Sequence, residues 1–313
     1  YFKNILLFKK HINFFNNKYS QCNFYYFLQE DFFSSIFGTT MIYNLMNIRS
    51  LNNLLREIPK QKVGVYIIEN QSWENCLIRF WRKYGHGKLI AYFNSSIRFW
   101  DLRYLKKKKE FKDLEKNPDL YFVNSKIFKH EAKKIGYPPK KLKLVEALRY
   151  NKLTKLSKIK KNKKILILGD ILIDETINLL DLINKTIPKL KAYKFYLKPH
   201  PTMTFKSINM LQSKYAYLQI VNINSEKFKN FEYVICSNGT SAVLDCLAMK
   251  LNFCSVKPLN SLNLYPIEKY QKTFQAINTE DLIKKIKKPI NGKKIKIFES
   301  SKKLNQFLSI LNN

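Results

Sequence analysis

The sequence predicts an α/β protein built from two Rossmann-like, doubly wound domains that face a cleft. Three observations carry that expectation. Short β-branched or apolar runs alternate with segments of helical period. The alternation runs in two series, separated by a polar, basic stretch at 151–163 that reads as a linker. Polar residues gather where the strands should end, the edge at which parallel sheets bind ligands. The chain has 313 residues, room for about two domains of ~150 residues. The first is expected over 1–150 and the second over 164–313. The first residue is not Met, and the first domain is expected to extend further N-terminally.

The elements follow in order. Residues 24–58 carry apolar side chains near helical spacing and stop at Pro59. "KVGVYIIEN" (62–70) is a buried strand. "SWENCLIRFWRKYG" (72–85) is a helix with Ser72 as cap, Glu74 in its first turn and Gly85 at its end. Strands at 87–96 and 119–125, a helix at 126–136 and a strand at 141–150 complete the first series. The second opens with the strand "KILILGD" (164–170) and a helix at 174–190. Strands follow at 191–201, 215–222, 231–238 and 252–258, with the helix "GTSAVLDCLAMKL" (239–251) between the last two. Helices at 279–288 and 299–311 end the chain, and the last is expected to cross back to the first domain.

Lys and Arg number 57 against 23 Asp and Glu, a formal charge of +34. Such charge draws polyanions and anionic membranes. It is spread along a chain rich in Lys, Asn, Ile, Phe and Tyr, with no nucleic-acid-binding motif, so no specific nucleic-acid partner is expected. No apolar run reaches the ~20 residues of a membrane helix. The five cysteines form no C-x-x-C pair and no disulfide framework. Cytoplasmic residence is expected, with peripheral contact at an anionic inner leaflet.

Five strand-end clusters hold the candidate chemistry: Glu69-Asn70-Gln71, Asn94-Ser95-Ser96, Gly169-Asp170, Lys198-Pro199-His200-Pro201, and Ser237-Asn238-Gly239-Thr240-Ser241. In the last, Gly239 permits a tight turn, and Thr240 and Ser241 bring hydroxyls to a helix start, which suits phosphate. The competing reading is an ordinary helix cap. In "KPHP", the flanking prolines restrict the backbone around His200. Its imidazole can donate to a phosphate oxygen, and Lys198 adds charge. Alone, the pair reads as a turn with an exposed histidine. With the hydroxyl cluster it favours a phosphate site of Lys198, His200, Ser237, Gly239, Thr240 and Ser241.

The catalytic candidates are Glu69, Glu74 and Asp101. Glu69 ends a buried strand, where desolvation would raise a carboxylate towards a base's range. The competing reading for Glu69 and Glu74 is a helix cap and a salt bridge. In "RFWDLRY", Asp101 lies between Arg98 and Arg103, which could meet an anionic sugar or pair with it on the surface. Arg149 follows a strand near the domain junction and could reach a donor phosphate or form a linker salt bridge. Gln71, Asn94, Gly169 and Asp170 complete the cleft candidates. His86, in "KYGHGK", reads as exposed in a loop, and His130 as solvated. No D-x-D motif or metal-ligand constellation is visible, so no metal or cofactor is expected. The nucleotide fingerprints of P-loop ATPases and dehydrogenases are missing too.

"KPHP" (198–201) and "SNGTSAVLDCLAMK" (237–250) resemble the HP and serine motifs of GT-B-fold glycosyltransferases. These include bacterial sialyltransferases, capsule Kdo transferases and polymerases that use CDP-glycerol. Residues 68–104 and "VEALRY" (145–150) are similar to a family of bacterial surface carbohydrate biosynthesis proteins. The likeness spans roughly 30–260, and its tryptophan-rich stretch is the most specific part. It implies a nucleotide-sugar donor held by His200 and the helix-start hydroxyls, with a glycan or lipid-linked acceptor. That family carries histidine where this chain has Asn94, which counts against catalysis from that strand end. A metal-independent glycosyltransferase of surface polysaccharide, using a CMP-sugar, is the expectation from this resemblance. The alternatives are a CDP-alcohol phosphotransferase of teichoic-acid type, an inactive scaffold, and a basic nucleic-acid-binding protein.

Overall fold

The structure is a computed structural model, described here for residues 25–94, 96–97, 101–105, 110–111, 113–155, 160–258, 261–289, 297–298 and 304–312. By their internal contacts these residues form two units. One takes the described residues up to Lys62 together with Gln71–Gly87, and the other Val63–Asn70 together with the chain from Lys88 onwards.

The first unit is helical. The segment 24–58, expected to be helical, holds two helices among the described residues: α1 (Tyr25–Phe37) and α2 (Thr39–Glu57). The break falls at Gly38, whose extended ψ leaves the helix and where a Cβ would lie 2.9 Å from the Ser34 Cα. The third helix here is α3 (Ser72–Lys83). Its cap is Gln71 rather than the expected Ser72. The Gln71 side chain accepts from the backbone of Glu74 and the Glu74 side chain from that of Gln71, a reciprocal capping box. Ser72 instead donates to the Asn44 Oδ1 at 2.7 Å. Gly85, at φ +64°, ends the helix in the left-handed conformation that glycine takes most readily.

The second unit holds two sheets. The first has strands β1 (Val63–Ile67), β2 (Lys88–Phe93), β3 (Leu120–Val123) and β4 (Leu142–Leu144), in that spatial order and all parallel. Helix α4 (Lys126–Lys134) follows β3, with the Ser125 Oγ accepting from the Ile127 N–H at 3.2 Å. The second sheet comprises β5 (Lys164–Leu168), β6 (Lys194–Lys198), β7 (Leu218–Ile220), β8 (Tyr233–Ser237), β9 (Phe253–Val256) and the two-residue β10 (Gln275–Ala276). Its order is β7-β6-β5-β8-β9-β10, again parallel throughout. This is the doubly wound Rossmann order, with the direction of winding reversing between β5 and β8. Helices α5 (Ile173–Asn184), α6 (Phe205–Lys214), α7 (Ala242–Ala248), α8 (Gln271–Phe274) and α9 (Thr279–Lys287) intervene. The core of this sheet joins Ile165, Ile167 and Ile235 to Leu179, Leu180 and Ile183 of α5 and Leu282 of α9. The chain has a two-domain Rossmann-like α/β fold.

The last helix, α10 (Asn305–Asn312), covers the first sheet, as the expected crossing back requires. Phe307 packs edge-on to Phe122 at 5.3 Å and Tyr92 at 6.1 Å between ring centroids. The carboxylate of Glu146, 1% exposed, accepts from the N–H groups of Gln306 at 2.9 Å and Phe307 at 2.8 Å. A negative group at a helix start answers the unpaired donors and the dipole together. Ahead of that helix, the Ser125 Oγ donates to the Ile297 carbonyl at 2.8 Å, and Phe298 stacks on Tyr150 at 4.0 Å. The expected helix at 299–311 is described only from 305.

His86 corrects a sequence expectation. It is 6% exposed rather than in an open loop. The Gln61 N–H donates to its Nδ1 at 3.1 Å, so Nε2 carries the proton and donates to the Leu55 carbonyl at 2.8 Å. The Trp81 ring lies 4.7 Å away. His130 is exposed, as expected. Cys236, Cys246 and Cys254 are buried free thiols, and burial raises the pKa of Cys254 to about 12. Among the described residues no helix is long and apolar enough to cross a membrane.

Candidate functional site

The reversal of winding between β5 and β8 leaves a crevice beyond their carboxyl ends. A cavity of about 180 Å³ lies there, lined by Arg149, Gly169, Lys198, Pro199, His200, Pro201, Thr240, Ser241 and Asp245 among others. The two motifs singled out in the sequence, at the ends of β6 and β8, thus meet in one pocket.

Each part has a local cause. β6 ends at Lys198, where Pro199 removes the next donor and fixes the backbone. The Thr202 N–H donates to the His200 Nδ1 at 3.3 Å, and the Thr202 hydroxyl lies 2.8 Å from the same nitrogen. Nδ1 therefore acts as the acceptor, which leaves the proton on Nε2 as a donor for a ligand. Gly169 lets the chain after β5 run close by: a Cβ there would sit 3.6 Å from the His200 backbone nitrogen and 3.3 Å from the Thr176 Oγ1. Thr240 partly meets the capping reading, since its Oγ1 accepts from the Ala242 N–H at 3.3 Å. Ser241 is the N-cap residue of α7 but makes no side-chain cap bond.

Three cationic or donor side chains meet one acid. Burial lowers the pKa of Lys198, and the nearby Asp245 charge opposes that shift. Asp245 is 3% exposed. Burial raises its pKa, against the hydrogen bond from Ser225 and the charges of Arg149 and Lys198. The Ser225 hydroxyl donates to its Oδ2 at 2.6 Å. Its Oδ1 lies 3.7 Å from an Arg149 nitrogen, an ion pair too long for a hydrogen bond. The cavity therefore concentrates positive charge around a carboxylate that is incompletely satisfied, and an anion entering it would compete with Asp245 for Arg149 and Lys198. Sequence reasoning missed Asp245 and Ser225. The available signal was a single acid inside the apolar run "AVLDCLA", where a buried charge needs partners.

Other candidates lie elsewhere. Ser237 is 2% exposed and donates to the Asp170 Oδ2 at 2.7 Å. Asp170 also accepts from the Leu172 N–H at 3.3 Å. These two join the ends of β8 and β5 beneath Gly239 rather than lining the cavity. A Cβ on Gly239 would sit 3.5 Å from the Asp170 Oδ2. Asn238 holds the following loop, donating to the Leu262 carbonyl at 2.6 Å.

None of the described first-series candidates other than Arg149 lines this cavity. Glu69 is exposed, so the burial expected to tune it is not found: Val65 and Ile67 of the same strand are exposed as well, and β1 is the edge of its sheet among the described strands. Glu74, 3% exposed, serves the capping box of α3 with Gln71. Arg103 grips Asp101 with two bonds of 2.7 Å, and the Asp101 and Glu69 charges both help raise its pKa. Glu69, Asp101 and Arg103 therefore share one neighbourhood, to which the Tyr104 hydroxyl is tied by a 3.4 Å bond to the Ile68 carbonyl. Asn94 is half-buried at the end of β2. Arg98 lies outside the described residues, as does Ser95. Among the described residues no group of three or more His, Cys, Asp or Glu is placed to hold a metal ion.

The architecture is similar to that of solved nucleotide-sugar enzymes. The UDP-GlcNAc 2-epimerase of Methanocaldococcus jannaschii, in complex with UDP-GlcNAc and UDP, matches over 86% of this chain and 80% of its own, with a TM-score of 0.57 and 14% identity. The UDP-GlcNAc 2-epimerase of Neisseria meningitidis, bound to UDP-GlcNAc, matches over 78% and 72%, with a TM-score of 0.54 and 12% identity. At these identities the likeness shows the fold. No protein-family model matches the chain, and no curated protein matches it in sequence.

Proposed function

We propose that this protein is a nucleotide-sugar enzyme of surface glycan synthesis, transferring a glycosyl group from a nucleotide donor whose phosphate occupies the cavity at the β5–β8 switch point. The observation that carries this reading is the convergence of Lys198, His200, Arg149 and the Thr240–Ser241 hydroxyls on that one cavity. Departure of a nucleotide builds negative charge on its phosphate, and preorganised donors there lower the barrier. His200 would donate from Nε2, Lys198 and Arg149 would supply charge, and Thr240 and Ser241 would add hydroxyl donors. No metal is needed in this scheme. Glu69, the exposed carboxylate of that neighbourhood, would take the proton from an acceptor hydroxyl, Asp101 being held by two bonds from Arg103. The resemblance of the HP and serine motifs favours CMP as the nucleotide. The acceptor would be a glycan or lipid-linked chain, met in the cytoplasm at an anionic membrane face.

Thermal shift with CMP, CDP, UDP and ATP tests the reading. Stabilisation by a pyrimidine nucleotide over ATP, reduced in His200→Ala, supports it, and indifference to all four refutes it. Labelled CMP-sugars and CDP-glycerol separate sugar transfer from phosphoryl-polyol transfer. The solved neighbours favour a second reading, an epimerase acting on a UDP-sugar. Such an enzyme would convert UDP-GlcNAc without any acceptor, whereas a transferase requires one.

A further inference from the structure

We propose that Lys198 is a modification site, acylated by small acyl phosphates whose phosphate group the cavity holds. The inference needs the anion-holding character of the cavity but no nucleotide. Its first support is the setting of the amine. Lys198 ends β6, and its half-buried side chain lines the cavity. Among the described residues no carboxylate pairs with its ammonium: Asp245, which lines the same cavity, pairs with Arg149 instead. The second support is the set of donors around it. Arg149, His200, Thr240 and Ser241 line the cavity too, and the contacts of Thr202 with Nδ1 leave the His200 Nε2 proton for a ligand. A phosphate gripped by these groups brings whatever is joined to it beside Lys198.

A lysine must shed its proton before it can act as a nucleophile. Burial lowers the pKa of Lys198, against the charge of Asp245, so a larger share of it is neutral than of a lysine in open water. The neutral amine attacks the carbonyl carbon of the acyl phosphate. A C–N bond forms and the C–O bond to phosphate breaks. The phosphate departs with the bonding pair and takes the proton that the amine nitrogen releases. The products are an amide and hydrogen phosphate, and no oxidant or further reactant enters. Arg149 and His200 stabilise the departing charge. An acylating agent without phosphate gains nothing from these donors, which singles out acyl phosphates. Acylation removes the Lys198 charge, so the modified cavity holds anions less well.

The test is acetylation of the full chain by acetyl phosphate, followed at each lysine by peptide mass spectrometry. Lys206 and Lys250, both exposed, serve as internal references. Lys198 should react about tenfold or more faster than either, because its reagent is held in place. Inorganic phosphate should slow Lys198 and leave the references unchanged. His200→Ala should slow Lys198 severalfold with acetyl phosphate but not with the N-hydroxysuccinimide ester of acetic acid, which carries no phosphate. A rate at Lys198 no higher than at the references, or no protection by phosphate, would overturn the proposal. An equal lead with the uncharged ester would overturn it as well, since the reactivity of the amine alone would then suffice. Nucleotide binding without selective acetylation would sink this proposal and spare the nucleotide reading, and selective acetylation without nucleotide binding would do the reverse.

Discussion

The two sheets carry similar polar residues at their carboxyl edges and use them differently. At the edge of the six-stranded sheet, Lys198, His200, Thr240 and Ser241 converge on a cavity. At the edge of the four-stranded sheet, Ser125, Asp101 and Glu146 hold the fold together. Ser125 caps α4 and binds the Ile297 carbonyl, Asp101 is gripped by Arg103, and Glu146 caps α10. The physical difference is topology. The described strands of the first sheet run in sequence order, whereas the second reverses between β5 and β8 and so opens a crevice. A polar residue at a strand end becomes a candidate for binding where the winding leaves space, and a cap or a bridge where it does not.

The largest expected effect that could break this contrast is in the first sheet. Glu146→Ala leaves two partly buried helix N–H groups unanswered and should cost about 1–3 kcal/mol, read as a lower urea midpoint. Nucleotide affinity of the protein that remains folded should be little changed; a selective loss of binding at full stability would refute the division of roles.

Next come the cavity residues. Lys198→Ala should weaken nucleotide binding about tenfold to hundredfold, since hydrogen bonds to charged groups contribute ~1.5–3 kcal/mol, with little change in unfolding midpoint. Affinity in the wild type should also fall as pH rises through the lowered pKa of Lys198, because only the ammonium form attracts phosphate. The fall would begin below the ordinary lysine value of ~10.4. Lys198→Arg, whose guanidinium stays charged, should abolish that fall.

Asp245→Asn sharpens the comparison from within the cavity. It removes the charge that competes with an incoming anion, so calorimetry with inorganic phosphate should show several-fold tighter binding. Weaker binding would show that Asp245 orients Arg149 and Lys198 rather than opposing the anion. The smallest effect on stability is expected for Glu69→Gln, an exposed change at a strand end: the unfolding free energy should stay within about 0.5 kcal/mol, while sugar transfer should drop sharply.

The sequence made the α/β alternation legible because apolar runs of strand length and helices of period 3.6 differ plainly. "KPHP" and "SNGTS" each had an ordinary reading as a turn or a cap, and they stood out because they occur together at the ends of strands in one series. Glu146 and Asp245 were not legible as partners, although each is a lone acid among buried apolar neighbours. Their partners, the start of α10 and the pair Arg149 and Ser225, lie far off in sequence. His86 was misread because its flanking glycines suggest an open loop. In fact Gly87 is pressed so close to Lys62 that a Cβ would sit 2.1 Å from its carbonyl oxygen, which is a sign of a packed crossing. Gly38 was overlooked in a run whose apolar spacing continues on both sides of it.

Isothermal titration of CMP and UDP into the wild type and His200→Ala tests the central claim most directly. The account predicts that at least one of the two nucleotides binds the wild type and loses about tenfold in affinity when the Nε2 donor is removed. Equal affinity in both proteins, or no binding of either nucleotide to the wild type, would contradict it.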